Sequence, residues 1–137
     1  MTERFDYHGT GLDGEDLPDQ PWTLVHQWMD EAHRRQHDAG DLGEVDLLSV
    51  ATVDADGLPD VRGVLMRFLD PRGPGFVSST SSAKAAQLAA NSGIAAALGW
   101  QPLFRTIRFR GIAQRIDDAE LDPYWAHRPW GSQIGAW

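Results

Sequence analysis

The run "SSTSSAK", Ser78 to Lys84, sets five hydroxyl residues ahead of an Ala-rich stretch. If a helix begins there, its free N–H groups and positive end join those hydroxyls as a phosphate seat. Lys84 would add a point charge. The same residues also read as an ordinary serine-capped helix. A second set is Tyr124, Arg128 and Ser132. Tyr124 and Arg128 are four apart and share a face of any helix. A phenol, a guanidinium and a hydroxyl together can bind another phosphate, or simply form a solvated helix end. Arg62 is a lone guanidinium among small and apolar residues, which also suits a surface arginine on an edge strand. Arg105, Arg108, Arg110 and Arg115 fall in one segment. A locally positive pocket there could hold a small phosphorylated ligand.

Other chemistries are absent from the pattern. Without cysteine there is no thiolate nucleophile, disulfide or zinc–thiolate site, and a reducing cytoplasm is the expected compartment. His33 and His37 are four apart, but no third ligand follows at familiar spacing, so solvated-face histidines and no metal are expected. No G-x-S-x-G turn, G-x-G-x-x-G fingerprint or phosphate-binding G-x-x-x-x-G-K-[ST] loop occurs. A net charge of −8 argues against nucleic acid as partner. No apolar run reaches the ~18 residues of a membrane span. "MTERFDYHGT" lacks the apolar stretch of a secretory signal, so neither membrane nor export is expected.

These groups need elements to hold them. The 137 residues suggest one domain, with 1–20 a polar, Gly/Asp-rich arm. "PWTLVHQWMDEAHRRQHDAG" predicts a helix, with Asp19 as cap, Pro21 in the first turn and Gly40 as stop. Trp22, Val25, Trp28, Met29 and Ala32 form its apolar stripe. "DLLSVATVDADGLPDVRGVLMRF" predicts two strands around a "DADG" turn. Leu48, Val50 and Thr52 share one face, and Leu47, Ser49, Ala51 and Val53 the other. On the second strand Val61, Gly63 and Leu65 alternate with Arg62, Val64 and Met66. "DPRGPG" reads as a turn before a short strand at "FVSST". "SSAKAAQLAANSG" reads as a helix with a serine start and a Gly stop, and "IAAALGWQ" as a strand. "FRTIRFRGIAQRI" is a strand with Ile107 and Phe109 opposite Arg108 and Arg110. Asp117 and Glu120 stand at capping-box spacing. Pro123 then predicts a last helix from about Asp122 to His127. Hairpin-length turns favour a mainly β, α+β fold: a small antiparallel barrel with peripheral helices.

Taken together, "DLP", "LLSVATVDADGLPDVRGVLMRFLD", "SSAKAAQLAAN" and above all "RPWGSQIGAW" resemble the pyridoxamine 5′-phosphate oxidase family, from about Arg4 to Trp137. The resemblance implies an antiparallel split β-barrel that forms a homodimer with FMN at the interface. It places FMN on Arg62, Gly63, Val64, Leu65, Met66 and Arg67. Arg62 would meet the phosphate and the strand backbone would follow the isoalloxazine ring. Val77, Ser78, Lys84 and Thr106 complete the implied cofactor set. Arg4, Tyr7, Arg67, Tyr124, Arg128 and Ser132 are implied to bind the phosphorylated substrate, pyridoxamine or pyridoxine 5′-phosphate. The implied reaction moves a hydride equivalent from the substrate C4′ to flavin N5, with reoxidation by oxygen. No nucleophile is required, only orientation.

The pattern departs from the family at several positions. Arg67 stands for a lysine, Ala83 for a basic residue, Thr106 for a glutamine and Val77 for an aromatic. The family pattern also continues beyond "SQIGAW", so the resemblance implies a member lacking the C-terminal segment. Two other readings follow from these departures. One is a related split-barrel flavin or deazaflavin reductase with another substrate. The other is a non-catalytic flavin-binding dimer.

Overall fold

The computed structural model describes residues 11–15 and 17–127. Helix α1 (Pro21–Ala39) leads into strands β1 (Leu47–Val53), β2 (Pro59–Asp70) and β3 (Gly73–Phe76). Helix α2 (Ala83–Ala90), strands β4 (Gly93–Trp100) and β5 (Arg105–Ile112), and helix α3 (Asp118–His127) follow. The five strands form one antiparallel sheet in the order β3-β2-β1-β4-β5, curled into a half-barrel.

The alternation expected from the sequence sets the two faces. Leu48, Val50 and Thr52 on β1 are buried, together with Met66, Leu98 and Trp100. Helix α1 closes this inner side, burying Met29 and Ala32 and laying Trp28 and Val25 against the same core. Trp22 stacks on Phe109 of β5, ring centroids 6.1 Å apart. The Trp100 indole N–H donates to the Val45 carbonyl at 3.1 Å, tying β4 to the loop before β1. The "DADG" turn forms as read: the Asp54 carboxylate accepts from the N–H groups of Asp56 and Leu58, and Gly57 takes φ +80°.

Several boundaries differ from the sequence expectation. The residue preceding α1 is Gln20, with no side-chain cap, so Asp19 does not cap; Pro21 has no N–H to satisfy there. Gly40 stops the helix in the left-handed region as expected, φ +66°. The third strand is not "FVSST" but Gly73–Phe76, which takes in the second half of the expected turn and only Phe76 of the expected strand. Only Pro71 and Arg72 turn the chain, because Asp70 accepts from the Arg72 N–H at 2.8 Å and closes a tight hairpin. Asn91, not a glycine, ends α2. Helix α3 starts at Asp118 and continues through Pro123. Its start is fixed by the Asp117 carbonyl, which accepts from the N–H groups of Glu120 and Leu121. Glu120 does not close a capping box; its carboxylate pairs with Arg72 at 2.8 Å.

Candidate functional site

Arg62 lies on the inner face of β2, directly across from the buried Val50. That part of β2 pairs with β1 alone, since β3 joins only from Met66 onward, so the expected edge position holds but the side chain turns inward rather than to the surface. Its side chain is only 21% exposed. The guanidinium donates to Thr52 Oγ1 at 2.7 Å, Asp60 Oδ2 at 3.0 Å and Gln87 Oε1 at 3.2 Å, and also to the Val50 carbonyl. Thr52, itself fully buried, donates a hydrogen bond from its hydroxyl to the same Gln87 oxygen. Three elements thus meet in one polar knot: β1 through Thr52, β2 through Arg62, α2 through Gln87.

The helix that supplies Gln87 also follows directly on the serine-rich run. Ser82 is the N-cap, accepting from the Ala85 N–H at 3.3 Å, and its hydroxyl contacts that of Ser78 at 3.2 Å. Lys84 lies one helical turn before Gln87 and so shares its face. Its ammonium makes no hydrogen bond or ion pair with another described residue. Arg62 is thus tied to α2 through Gln87, Ser78 touches the Ser82 cap of the same helix, and Lys84 is carried on its first turn. Thr52, Gln87 and Asp60 were missed by sequence reasoning. The available signals were Thr52 on the core face of β1 and Gln87 three residues after Lys84.

The rest of the predicted cofactor strand has a distinct backbone environment. Residues 59–65 of β2 pair with β1 on one side, whereas β3 pairs only from Met66 onward. The Met66 N–H donates to the Asp46 carbonyl. By the antiparallel alternation, the peptide groups of Val61, Gly63 and Leu65 then point away from β1. No strand pairs that edge among the described residues. Arg67 sits at the register shift between Met66 and Phe68 and is exposed. Val77 and Ser78 are half-buried just after β3.

The outer face of the sheet is carpeted with small side chains. Cross-strand rows run Val61–Ala51–Ala95–Arg110 and Gly63–Ser49–Ala97–Arg108, with Leu65 opposite Leu47 and Gly99 opposite Thr106. Two open clefts of about 360 and 380 Å³ lie over these rows and share Ser49 and Ala97. Thr106 lines the second and is exposed. A Cβ on Gly63 would stand 3.1 Å from Leu47 Cδ1, so the row is tight as well as flat. Leu47 is 50% and Val61 66% exposed on this face.

The arginine segment does not form one positive pocket. Arg105 faces inward, paired with Glu31 and stacked 4.8 Å from the Trp28 ring centre. Arg115 pairs with Asp118. Only Arg108 and Arg110 share a cleft, because alternation along β5 sends odd and even positions to opposite faces. His33 pairs with Asp46 and His37 with Asp38, both at the surface. No group of three metal-ligating side chains occurs among the described residues. Tyr124 is carried by α3. That helix is fastened to the β2–β3 hairpin by Arg72, which bridges Asp70 and Glu120. Hydrogen bonds from Arg72 hold both carboxyls below their ordinary pKa. Arg4, Tyr7, Arg128, Ser132 and the "RPWGSQIGAW" motif lie outside the described residues.

A family model described as pyridoxamine 5′-phosphate oxidase matches residues 35–137. The chain belongs to the pyridoxamine 5′-phosphate oxidase family. Within that family it is 43% identical, over 119 residues, to the pyridoxine/pyridoxamine 5′-phosphate oxidase of Azorhizobium caulinodans. The match covers 87% of this chain and 54% of that relative, so the chain spans about half its length. Among solved structures it resembles PhzG from Burkholderia lata 383, determined in complex with tetrahydrophenazine-1-carboxylic acid. The TM-score is 0.78 at 25% identity, covering 89% of this chain and 58% of the other. A pyridoxamine 5′-phosphate oxidase-related, FMN-binding protein from Nostoc punctiforme shares the fold. Its TM-score is 0.65 at 20% identity, covering 87% of this chain and 63% of that one. The split-barrel expectation agrees with these likenesses. No helix among the described residues is long and apolar enough to cross a membrane.

Proposed function

We propose that this chain is the FMN-binding part of an oxidoreductase that oxidises pyridoxamine or pyridoxine 5′-phosphate to pyridoxal 5′-phosphate. Residues 1–137 act as a single domain, with 1–20 as an arm, in a cytoplasmic homodimer. The observation that carries this reading is the tie from Arg62 through Gln87 to α2, the helix that carries Lys84 and is capped beside Ser78, next to an unpaired stretch of β2 backbone. A flavin mononucleotide needs both parts, a cationic seat for its phosphate and N–H and C=O groups for its polar ring edge. The residues present fit it. Arg62, Ser78 and Lys84 would hold the phosphate, and the Gly63 to Arg67 backbone, with Val77 and Thr106, would line the ring. FMN, when bound, would supply a hydride acceptor for the substrate C4′ carbon and a route for the electrons to oxygen. Arg67, Tyr124, Arg128 and Ser132, with Arg4 and Tyr7 from the arm, would grip the substrate phosphate and orient its ring.

The outer face supports the dimer. Its small-residue rows allow a second sheet to approach closely, and Leu47 and Val61 supply exposed apolar area. Ala97→Glu, at the centre of a row, is expected to convert a dimer to a monomer in sedimentation. The functional test is the purified protein loaded with FMN and assayed for hydrogen peroxide and pyridoxal 5′-phosphate. Full flavin occupancy without turnover would refute the substrate assignment. A second reading keeps the flavin and changes the substrate. It is favoured by the likeness to PhzG and by Thr106, shorter than the glutamine of the resembled pattern. Turnover of tetrahydrophenazine-1-carboxylic acid, or reduction by a nicotinamide or deazaflavin donor, with none of the phosphorylated pyridines, would select it. A chain that binds FMN and turns over neither class would be the non-catalytic dimer.

A further inference from the structure

Arg62 is useful to a phosphate only if its guanidinium is held in place, and the knot around it shows what holds it. A free arginine has several rotatable bonds, and fixing them at the moment of binding costs affinity. Here the cost is met during folding. Thr52 Oγ1 accepts from Arg62 at 2.7 Å and donates to Gln87, whose Oε1 also accepts from Arg62 at 3.2 Å. That closed triangle permits one orientation of the Gln87 amide. With its oxygen turned away, an NH2 would face a guanidinium that can only donate. Gln87 also couples the guanidinium to the helix that carries Lys84 and begins at Ser82. No described residue accepts from the Gln87 NH2.

We propose that Gln87, acting with Thr52, is a positioning residue that presents the Arg62 guanidinium to a phosphate monoester at the start of α2. This rests on the FMN reading above and adds to it a residue that reaches the ligand through Arg62. The consequence is selective. Loss of Gln87 lowers affinity for ligands that carry the phosphate and leaves the ring-binding part untouched.

The test uses the full chain, stripped of flavin and titrated with FMN and with riboflavin by flavin fluorescence. Melting curves run in parallel, with and without phenyl phosphate. The wild type is expected to prefer FMN over riboflavin. Gln87→Leu is expected to lose about tenfold or more of FMN affinity with riboflavin affinity unchanged, since a charge-assisted grip is weakened. Thr52→Ser, which keeps the hydroxyl, is expected to retain the preference. Thr52→Val is expected to lose it, and serves in place of Gln87→Leu if that variant does not fold. If Gln87→Leu or Thr52→Val folds and keeps the full FMN-over-riboflavin ratio, the positioning role is overturned. Equal loss for both flavins overturns it too, because that is general damage. If the wild type binds neither flavin, the FMN reading falls and phenyl phosphate decides. Stabilisation of the wild type but not of Gln87→Leu upholds the positioning role. Equal stabilisation of both, or of neither, overturns it.

Discussion

Replacing Thr52 by valine probes the polar knot with little change of shape. Thr52 is 1% exposed, so the new methyl group is fully buried. The hydroxyl it replaces makes two hydrogen bonds, one of them to a guanidinium. A hydrogen bond to a charged group contributes about 1.5–3 kcal/mol net, and its loss leaves the partner to find another. Against this, burying an extra methyl group gains about 0.8 kcal/mol. Arg62 keeps Asp60, Gln87 and the Val50 carbonyl, and its 21% exposure admits some water, which lowers the loss further. The expected net destabilisation is about 1–2 kcal/mol. For a chain of this length that is a fall in Tm of roughly 3–8 °C. Urea unfolding followed by tryptophan fluorescence reads the midpoint shift, and an unchanged m-value confirms that the unfolded state is not the cause. Thr52→Ser should recover most of the hydrogen bonding, although it loses a buried methyl. If Thr52→Val matches or exceeds wild-type stability, the hydroxyl contributes nothing net. The knot would then be one of those buried polar arrangements that an apolar core can replace.

Trp100→Phe removes the indole donor to the Val45 carbonyl and is expected to cost about 1–3 kcal/mol by the same urea assay, because both groups are buried. Asp60→Asn removes the carboxylate that shares Arg62 with any incoming phosphate. FMN should bind about two- to fivefold tighter, read by fluorescence titration, whereas weaker binding would contradict the competition. Hydrogen bonds from Arg72 lower the pKa of Glu120 and Asp70, so their stabilising effect is fully present above the ordinary carboxylate range. It is lost as pH falls through that range to the folded-state values. Limited proteolysis should therefore cut within α3 faster at pH 3.5 than at pH 7, and Arg72→Ala should show fast cutting at both.

The sequence by itself determined the alternation and so the two faces of the sheet. Leu48, Val50 and Thr52 could only be buried together, since a strand turns every second side chain the same way. It also determined α1, through an apolar stripe bounded by Pro21 and Gly40, and the "DADG" hairpin, whose side-chain hydrogen bonds are local. Local rules misplaced the third strand and the last helix. A tight Asp70–Arg72 closure and a cross-element ion pair to Glu120 outweighed Pro and Gly content there. The motif supplied the names of Arg62, Ser78 and Lys84, but not what joins them. Thr52 meets Gln87 across 35 positions of sequence and Arg62 meets Gln87 across 25, and no periodicity encodes such a contact. Nor does composition separate Arg105 from Arg108, three residues on. Alternation does put them on opposite faces, but only the folded chain brings Glu31 and Trp28 of α1 onto Arg105. The open edge of β2 is likewise tertiary. It exists because β3 is short and pairs only from Met66 onward, which leaves the peptide groups of Val61, Gly63 and Leu65 without a neighbouring strand.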